Sequence, residues 1–360
     1  MSTASSGSSA ALKWECVGPA DAGFAADLSE KIDFGVRSGL IPNLHSLVVA
    51  RHGKIAIERY YEGEDNHWGL PLGEVAHRIE TLHDLRSVTK SIVSLLYGIA
   101  LEKGLVPPPE APLIAQFPRY ADLAADQKRA SLTIEHALTM SLGTEWNEEI
   151  PYSNPDNSEI QMEQAPDRLR FILDRPFAQE PGEKWVYNGG ATALIGALIE
   201  QGTGKTLDAF AQEALFGPLD ITQYQWTAGT DGVHSAASGL RLTARGLARI
   251  GQLVLDKGQA GGRQIVPAAW LEQSTTAKIP MGDGWHYGYQ WWLGTAPVRA
   301  MDWSEQQWIG GFGNGGQRLF IMPSTGIVMV AYFGNYNRMD SWMFPGRIWW
   351  EIVLPELEKL

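Results

Sequence analysis

Ser87 and Lys90 are the two residues whose types and spacing suit covalent chemistry in this chain. If a helix begins here, side chains at positions i and i+3 lie on one face and contact each other. A serine hydroxyl is a weak nucleophile that needs an adjacent base, and a lysine amine can act as that base where burial disfavours the charged form. Backbone N–H groups at a helix start can also stabilise a developing oxyanion. A pair of this kind is suited to acyl transfer, with Ser87 as nucleophile and Lys90 as base.

The tetrapeptide Ser87-Val88-Thr89-Lys90 also has a simpler interpretation. A serine often caps a helix, and a lysine one turn later is usually exposed to solvent. Taken alone, the four residues favour this simpler interpretation, because Ser-x-x-Lys also occurs by chance. The elements and motifs around them decide between the two.

The chain around this tetrapeptide predicts a helix after it and a hairpin before it. Residues 91–103 carry apolar side chains at helical spacing, and Gly104 is placed to end that helix. Residues 44–50 and 54–61 are two apolar, β-rich runs joined by Arg51-His52-Gly53. We therefore expect an antiparallel hairpin near the start of the chain.

Strand patterns return in the last third of the chain. Residues 317–322 and 327–333 flank Pro323-Ser324-Thr325-Gly326, whose composition predicts a hairpin turn. A further strand is predicted at residues 287–293. Helical patterns occupy residues 133–140, 166–173, 191–201, 243–257 and 345–354.

Strands at both ends with helices between them predict an α+β fold. In this fold one antiparallel sheet is built from both chain termini and flanked by helices, with an inserted mostly helical region. We expect residues 1–20 to form a flexible tail, residues 21–104 and 235–360 the sheet region, and residues 105–234 the helical region. The active site is expected between the sheet and helical regions.

Four segments follow one another in an order typical of one enzyme family. They read HDLR before the serine at 83–86, TIEHALTMSLG at 133–143, PGEKWVY at 181–187 and LIGALIE at 194–200. With Ser-x-x-Lys, they resemble the β-lactamase-like serine hydrolases of the penicillin-recognising superfamily. Within it, the chain is most similar to class C β-lactamases, family VIII carboxylesterases and 6-aminohexanoate-dimer hydrolases. The resemblance covers most of residues 40–340 and implies the β-lactamase/transpeptidase-like fold.

The resemblance implies that Tyr187 is the tyrosine that relays the proton to the leaving group; a buried core tyrosine is the alternative. The family pattern there is Tyr-x-Asn, but here the sequence is Tyr187-Asn188-Gly189. The amide that contacts the substrate is thus replaced by Gly189 or displaced to Asn188. This departure argues against β-lactam recognition more than against the nucleophile. Tyr152 starts a literal Tyr-x-Asn but lacks the Pro-Gly-Glu lead, so we interpret it as a pocket residue.

The third family element is a Lys-Thr-Gly or His-Thr-Gly on the strand that borders the cleft. Counted back from Pro323, the best match is Trp308-Ile309-Gly310, which lacks the cation. The resemblance implies that Gly311 then offers the second oxyanion N–H, beside that of Ser87. Glycines suit a strand that a substrate approaches closely. Without the cation, a lactam carboxylate loses a partner, which favours neutral esters or amides.

Other patterns lead to weaker predictions. Residues 311–316 fit G-x-G-x-x-G but precede a predicted strand instead of a helix, and residues 202–206 mimic a phosphate loop without its first glycine. No Gly-x-Ser-x-Gly elbow is present, which argues against an α/β-hydrolase. A catalytically silent relative that binds a ligand in the same cleft remains an alternative of a different class, although the predicted Ser, Lys and Tyr are all present.

The histidines give no sign of a metal site in the sequence. None of the eight shows His-Glu-x-x-His or comparable spacing. His52, His83, His136 and His286 are predicted to be turn, cap or surface residues. We therefore expect no metal and no cofactor.

Composition limits the class of protein and its partners. A net charge of −12 argues against nucleic-acid and anionic-membrane partners. The single cysteine, Cys16, excludes an internal disulfide framework. Residues 1–12 lack signal-peptide features, and no apolar run approaches about 18 residues, so we expect a cytoplasmic protein. The 14 tryptophans favour core packing, with the lining of an apolar acyl pocket as the alternative.

These observations predict a serine hydrolase that works by two-step acyl transfer. An acyl-enzyme forms on Ser87, Lys90 and Tyr187 share the proton, and water releases the acyl group. The expected partner is a small-molecule ester with a short acyl chain. Amides, such as amino-acid oligomers or lactams, are the alternative substrates, and the sequence leaves open whether the chain forms a homodimer.

Overall fold

A nine-stranded sheet lies at the centre of the fold, and the computed structural model describes residues 13–229 and 231–358 of the chain. The strands of the described residues are β1 (Glu15–Cys16), β2 (Leu44–Arg51), β3 (Lys54–Tyr60), β4 (Glu62–His67), β5 (Leu70–Ala76), β6 (His83–Asp84), β7 (Tyr224–Trp226), β8 (Leu240–Leu242), β9 (Gln259–Ala260), β10 (Arg263–Gln264), β11 (Ile279–Gly282), β12 (Trp285–Tyr287), β13 (Trp292–Val298), β14 (Ser304–Gly313), β15 (Gln317–Met322) and β16 (Ile327–Phe333).

Helices flank this sheet on both faces. The α-helices are α1 (Leu28–Arg37), α2 (Val88–Glu102), α3 (Gln127–Ala130), α4 (Ile134–Leu138), α5 (Ser158–Gln164), α6 (Arg168–Leu173), α7 (Gly189–Thr203), α8 (Leu207–Ala211), α9 (Ala244–Leu255), α10 (Ala268–Ser274) and α11 (Met343–Gly346). Two π-helical turns, Gln212–Phe216 and Arg347–Val353, continue α8 and α11.

The sheet joins the two ends of the chain. Its strand order is β1-β3-β2-β16-β15-β14-β13-β12-β11, and β2 from the N-terminal part pairs antiparallel with β16 from the C-terminal part. Both strands are mostly apolar and are buried along their whole length, as expected for strands covered on both faces. The predicted α+β fold with a sheet from both termini is therefore confirmed; β1, which pairs parallel to β3, is a small addition.

Alternation along the central strands divides the core into two layers. Val48 and Val330 face α2, α7 and α9, whereas Val49 and Met329 face α1 and the C-terminal helical turns. The first layer supports the start of α2. Because α2 is apolar on nearly all sides, it is buried between the sheet and α7, and this burial fixes the helix that follows Ser87.

Most predicted elements are present with shifted ends. The hairpin β2–β3 and the strands at 317–322 and 327–333 are confirmed. The strand predicted at 287–293 is wrong, because the chain leaves the sheet between β12 and β13. There Gln290 has φ 66°, and its backbone N–H donates to the Leu138 carbonyl instead of to a neighbouring strand. Its side-chain amide donates to the carbonyls of Ala137 and Leu138.

The predicted tail and the hairpin β4–β5 differ from the sequence interpretation. Residues 1–12 of the tail lie outside the described residues, but Glu15 and Cys16 form β1 at the sheet edge. The hairpin β4–β5 was not predicted, because residues 62–67 are mostly polar and show no apolar alternation. Among the described residues, no helix is both long and apolar enough to cross a membrane.

Candidate active site

Ser87 lies directly before α2, at the end of a tight connection from β6. Asp84 of β6 forms ion pairs with Arg86 at 3.1 Å and with Arg241 of β8 at 2.9 Å. Arg86 has φ 49°, an uncommon conformation for a residue with a side chain, and it turns the chain from the strand into the helix. Ser87 thus reaches the cleft on a segment held by strand pairing on one side and by a buried helix on the other.

Lys90 contacts Ser87 as the spacing predicts. Its Nζ donates to Ser87 Oγ at 3.0 Å and to the backbone carbonyl of Ala237 at 2.9 Å. The lysine side chain is only 1% exposed, which contradicts the solvated lysine of the simpler interpretation. A buried amine within hydrogen-bond reach of a serine hydroxyl is the geometry that general-base activation requires.

Tyr187 completes the group. Its side chain lines the same cleft as Ser87, and Lys90 Nζ lies 4.9 Å from its ring centroid. Burial raises the pKa of Tyr187 well above its ordinary value, the nearby Glu148 raises it further, and Ser87 opposes the shift. The phenol therefore keeps its proton at neutral pH and is suited to donate it to a leaving group. The structure brings all three predicted catalytic side chains together.

Removing only the hydroxyl of this tyrosine tests the relay. We expect Tyr187→Phe to lower kcat about 10²- to 10³-fold with little change in KM, because the ring still packs beside Lys90 while the proton donor is lost. Steady-state hydrolysis of a p-nitrophenyl ester measures the effect. Tyr97→Phe is the matched control, since Tyr97 is a buried tyrosine whose hydroxyl donates to Pro107 away from the cleft. Equal activity of Tyr187→Phe and the control contradicts the relay.

Asn188 does not replace the substrate-contacting amide. Its side-chain oxygen accepts from Ala191 N–H at 2.9 Å, so Asn188 is the N-cap of α7, and its side chain is buried. The prediction that Asn188 binds substrate is therefore wrong. The cap was recognisable in principle, because the residue directly precedes the predicted helix.

Two carboxyl groups explain why position 189 is a glycine. A Cβ at this position lies 3.0 Å from Glu159 Oε2 and 3.3 Å from Glu148 Oε2, and the Gly189 N–H donates to Glu148. A side chain such as the family's asparagine therefore has no room here. Glu148 and Glu159 occupy the space next to this position.

Glu148 and Glu159 are both buried, and their carboxyl groups lie next to each other beside Gly189. Glu148 also accepts from the indole of Trp146 and from the Tyr152 hydroxyl at 3.2 Å. Burial raises the pKa of Glu148 well above its ordinary value, and the negative charge of Glu159 raises it further, whereas Lys90 opposes the shift. Sequence reasoning missed both residues, because a loop and α5 bring them together and neither belongs to a motif.

The raised pKa of Glu148 has a consequence for stability. The folded state holds a proton that the unfolded chain releases near its ordinary pKa, so stability falls as pH rises above that value. Glu148→Gln keeps the hydrogen-bond acceptor and removes the ionisation. We expect its melting temperature to exceed that of the wild type by more at about pH 8.5 than at about pH 5.5.

Thermal unfolding at both pH values checks this expectation. Glu149→Gln is the control, because Glu149 is the exposed neighbour and its replacement removes the same formal charge. A stability difference between Glu148→Gln and wild type that does not grow with pH contradicts the assignment of a buried, protonated carboxyl.

Tyr152 and several aromatic residues line an open cleft of about 470 Å³ that includes Ser87. Tyr152 lies in this cleft, as predicted for a pocket residue. The apolar wall comprises Trp185, Trp285, Trp292, Phe312, Phe320, Trp342 and Trp350. Some of the late tryptophans therefore line a pocket, whereas others, such as Trp291 and Trp349, are buried in the core.

The prediction that Trp308 binds substrate is wrong. Trp308 is 1% exposed, its indole donates to the Thr295 carbonyl, and its ring packs among Trp285, Phe312 and Phe320. It lies on β14 but does not line the cleft, because this part of the strand is covered by the aromatic layer.

Gly310 and Gly311 occupy different surroundings on β14. At Gly310 a Cβ meets the Phe312 ring at 2.6 Å, and Gly310 is not among the residues that line the cleft. At Gly311 a Cβ lies 3.0 Å from Val88 Cγ1, which places this glycine against the first turn of α2. The oxyanion role of Gly311 remains a prediction, and the cleft edge itself is formed by Phe312, Gly313 and Asn314.

The cleft contains a cation that sequence reasoning missed. Arg318 lines it from β15, where its guanidinium donates to the Gly313 and Gln317 carbonyls and lies 4.5 Å from the Phe312 ring centroid. Burial lowers the pKa of Arg318 to about 10, so the group stays charged at neutral pH. Trp308 stands where the family motif has a cationic residue, and Arg318 on the next strand supplies a positive charge to the cleft instead.

The predicted histidine positions are right with one exception. His52 lies exposed in the β2–β3 turn, His136 takes part in the cap of α4, and His286 is partly exposed on β12. His83 is fully buried on β6, so its assignment to a turn, cap or surface is wrong.

Fold and site together define a class: a serine hydrolase with Ser and Lys one helical turn apart, at the start of a helix packed on an antiparallel sheet. A family model described as Beta-lactamase matches residues 42–341, and the chain belongs to that family. The 6-aminohexanoate-dimer hydrolase of Paenarthrobacter ureafaciens is 25% identical over 294 residues, which cover 74% of this chain and 68% of that protein.

Two further matches show the range of the family. The lovastatin esterase of Penicillium rubens is 30% identical over 109 residues, covering 28% of this chain and 26% of that protein. The structure of EstCE1, described as a hydrolase with promiscuous acyltransferase activity, has a TM-score of 0.70 at 18% identity and covers 92% of this chain and 98% of that chain. The family resemblance inferred from the sequence is confirmed, and its members include amide hydrolases, esterases and acyltransferases.

Proposed function

We propose that this protein hydrolyses short-chain carboxylic esters through an acyl-enzyme on Ser87. The observation that carries the proposal is the buried contact of 3.0 Å between Lys90 Nζ and Ser87 Oγ, with the Tyr187 ring 4.9 Å from the same Nζ. An arrangement of nucleophile, base and proton donor in one cleft is what acyl transfer requires.

In the first step, Ser87 Oγ attacks the ester carbonyl carbon and its proton passes to the amine of Lys90. Tyr187 donates its phenol proton to the leaving alkoxide and recovers one from Lys90, so the C–O bond breaks and the alcohol departs. In the second step, water attacks the acyl-enzyme, and the same groups return the proton to Ser87 as the acid leaves. The N–H groups of Ser87 and Gly311 stabilise the oxyanion in both steps.

The cleft supports an ester with an apolar acyl or alcohol part. Its aromatic wall offers apolar surface, and Ser87, Glu148 and Tyr152 are among its polar lining residues. We expect the purified protein to hydrolyse p-nitrophenyl butyrate faster than the matched butyryl p-nitroanilide. A higher rate on the anilide favours the amide alternative, and no turnover of either favours a ligand-binding relative without activity.

A second candidate function is hydrolysis of amides that carry a carboxylate, and Arg318 is the observation that favours it. No ion pair links Arg318 to a carboxylate in the part of the chain that the structure describes, yet it lines the Ser87 cleft and stays charged. A substrate carboxylate that reaches it gains a charge-assisted hydrogen bond. The similarity to a 6-aminohexanoate-dimer hydrolase supports the same candidate.

A pair of p-nitrophenyl esters tests the role of Arg318. The butyrate and the glutarate monoester differ mainly in a terminal carboxylate. We expect Arg318→Met to lower kcat/KM for the glutarate about 10- to 100-fold more than for the butyrate, from the loss of one charged hydrogen bond. Arg338→Met at the cleft rim is the control, because Arg338 already pairs with Asp340 at 2.8 Å. An equal loss on both esters contradicts carboxylate recognition by Arg318.

A further inference from the structure

A second cluster of chemically active side chains lies buried behind the nucleophile segment. His45 on β2, Asp65 on β4 and His83 on β6 are each at most 2% exposed. His45 Nδ1 lies 2.9 Å from His83 Nε2, and Asp65 Oδ1 lies 3.5 Å from His83 Nε2 and 3.9 Å from His45 Nδ1. Two imidazole nitrogens and a carboxylate oxygen thus converge on one point.

These three spacings, 2.9, 3.5 and 3.9 Å, bracket those of a tetrahedral metal site, and the shortest is also a hydrogen-bond distance between the two imidazoles. Zinc binds histidine nitrogen and carboxylate oxygen at about 2.0–2.2 Å, which places neighbouring ligand atoms about 3.3–3.5 Å apart. We infer that His45, Asp65 and His83 bind a divalent transition metal ion, with Zn²⁺ as the preferred occupant. Tyr336 is placed as the fourth group, because its hydroxyl lies 2.9 Å from Asp65 Oδ1 and 3.5 Å from His83 Nε2.

The surroundings orient the two histidines as metal ligands are usually oriented. His83 Nδ1 lies 3.0 Å from the Asp84 carbonyl, so a hydrogen on Nδ1 leaves the Nε2 lone pair directed at the cluster. The His83 ring stacks on Tyr332 and the His45 ring on His77, with centroids 4.7 Å and 4.1 Å apart. These contacts fix both rings before any ion binds.

Two glycines make room for the His45 ring. A Cβ at Gly63 lies 2.8 Å from His45 Nε2, and a Cβ at Gly334 lies 2.7 Å from the same atom. Any larger residue at either position displaces the ring from the cluster. The backbone is therefore shaped around a histidine at position 45, which supports a specific role for it.

Charge balance favours a cation over a neutral hydrogen-bonded network. Within the described residues, the ion-pair contacts of Asp65 are with His45 and His83 only, and no lysine or arginine pairs with it. Its Oδ2 is buried and has no hydrogen-bond partner. A buried carboxylate without a cationic partner is costly, and a divalent ion among the three ligands removes that cost.

The position of the cluster indicates a structural ion. His83 precedes Ser87 by four residues, and its neighbour Asp84 holds Arg86 and Arg241. An ion here ties β2 and the polar hairpin β4–β5 to the segment that carries the nucleophile. Because a structural metal contributes binding free energy to folding, its loss should lower stability before it affects chemistry.

Metal binding to the full chain tests the inference independently of the hydrolase activity. After treatment with EDTA and buffer exchange, we expect one equivalent of Zn²⁺ by calorimetry and a higher melting temperature in its presence. We also expect Co²⁺ to give visible absorption bands of a four-coordinate site. Asp65→Asn keeps an acceptor for the Tyr336 hydroxyl and removes the anionic ligand, so it should weaken Zn²⁺ binding at least about 100-fold.

Two comparisons make the outcome decisive. His52→Gln replaces an exposed histidine outside the cluster and should bind Zn²⁺ as the wild type does. His45→Gln should lose the site, and its melting temperature without metal shows whether it folds. If the wild type binds no stoichiometric Zn²⁺, or if folded Asp65→Asn binds it equally well, the inference is wrong and the cluster is a hydrogen-bonded network.

Discussion

Ser87→Ala should abolish ester turnover while the protein remains folded. The change removes the atom that forms the acyl-enzyme, and loss of a nucleophile that acts as a unit with its base costs about 10⁴-fold or more in kcat. The fold should survive, because the serine hydroxyl contributes only a local hydrogen bond to Lys90 at the start of α2. Hydrolysis of p-nitrophenyl butyrate and the melting temperature measure the two effects.

Ser94→Ala is the matched control for this variant. Ser94 is a buried serine on the same helix, so its replacement reproduces the loss of a hydroxyl in α2 without touching the cleft. We expect near wild-type turnover for the control. Substantial turnover by Ser87→Ala would show that another residue is the nucleophile and would overturn the proposed mechanism.

Lys90→Met should cost about 10²- to 10⁴-fold in kcat, the range expected for loss of a positioned general base. Methionine approximates the length of the lysine side chain but has no amine to accept the Ser87 proton. Stability should be kept or increased, because an apolar side chain replaces a buried polar group that is held by the Ala237 carbonyl. A large loss of activity without a loss of stability separates a chemical role from a structural one.

Lys103→Met is the control for the lysine variant. Lys103 follows the C-terminal end of α2 and is exposed, so its replacement should leave kcat unchanged. The rate of covalent labelling by a fluorophosphonate should fall in parallel with kcat in Lys90→Met only. If Lys90→Met labels and turns over at the wild-type rate, Lys90 is not the base.

The central fold was predictable because its signals are local. The strands β2, β15 and β16 are rich in apolar residues, and α2 and α9 show clear helical periodicity. The hairpin β4–β5 was missed because polar strands lack that alternation. The break between β12 and β13 depends on contacts between Gln290 and residues about 150 positions earlier, which no local pattern contains.

The residues of the candidate site likewise differ in whether a local sequence pattern predicts them. Ser87 and Lys90 are one helical turn apart, so a short motif predicts their contact. Glu148 and Glu159 meet only through a loop conformation, and Arg318 enters the cleft through the register of β14 and β15. His45, Asp65 and His83 come from three separate strands. A search for metal-ligand spacings within one sequence segment therefore could not find this cluster.

Mass spectrometry after fluorophosphonate treatment tests the central claim most directly. The proposed mechanism predicts one covalent adduct per chain, located on Ser87, that forms at the rate at which ester hydrolysis is lost. It further predicts no adduct on Ser87→Ala. An adduct on a different residue, or full ester hydrolysis by a protein that forms no adduct, contradicts the assignment of Ser87 as the nucleophile.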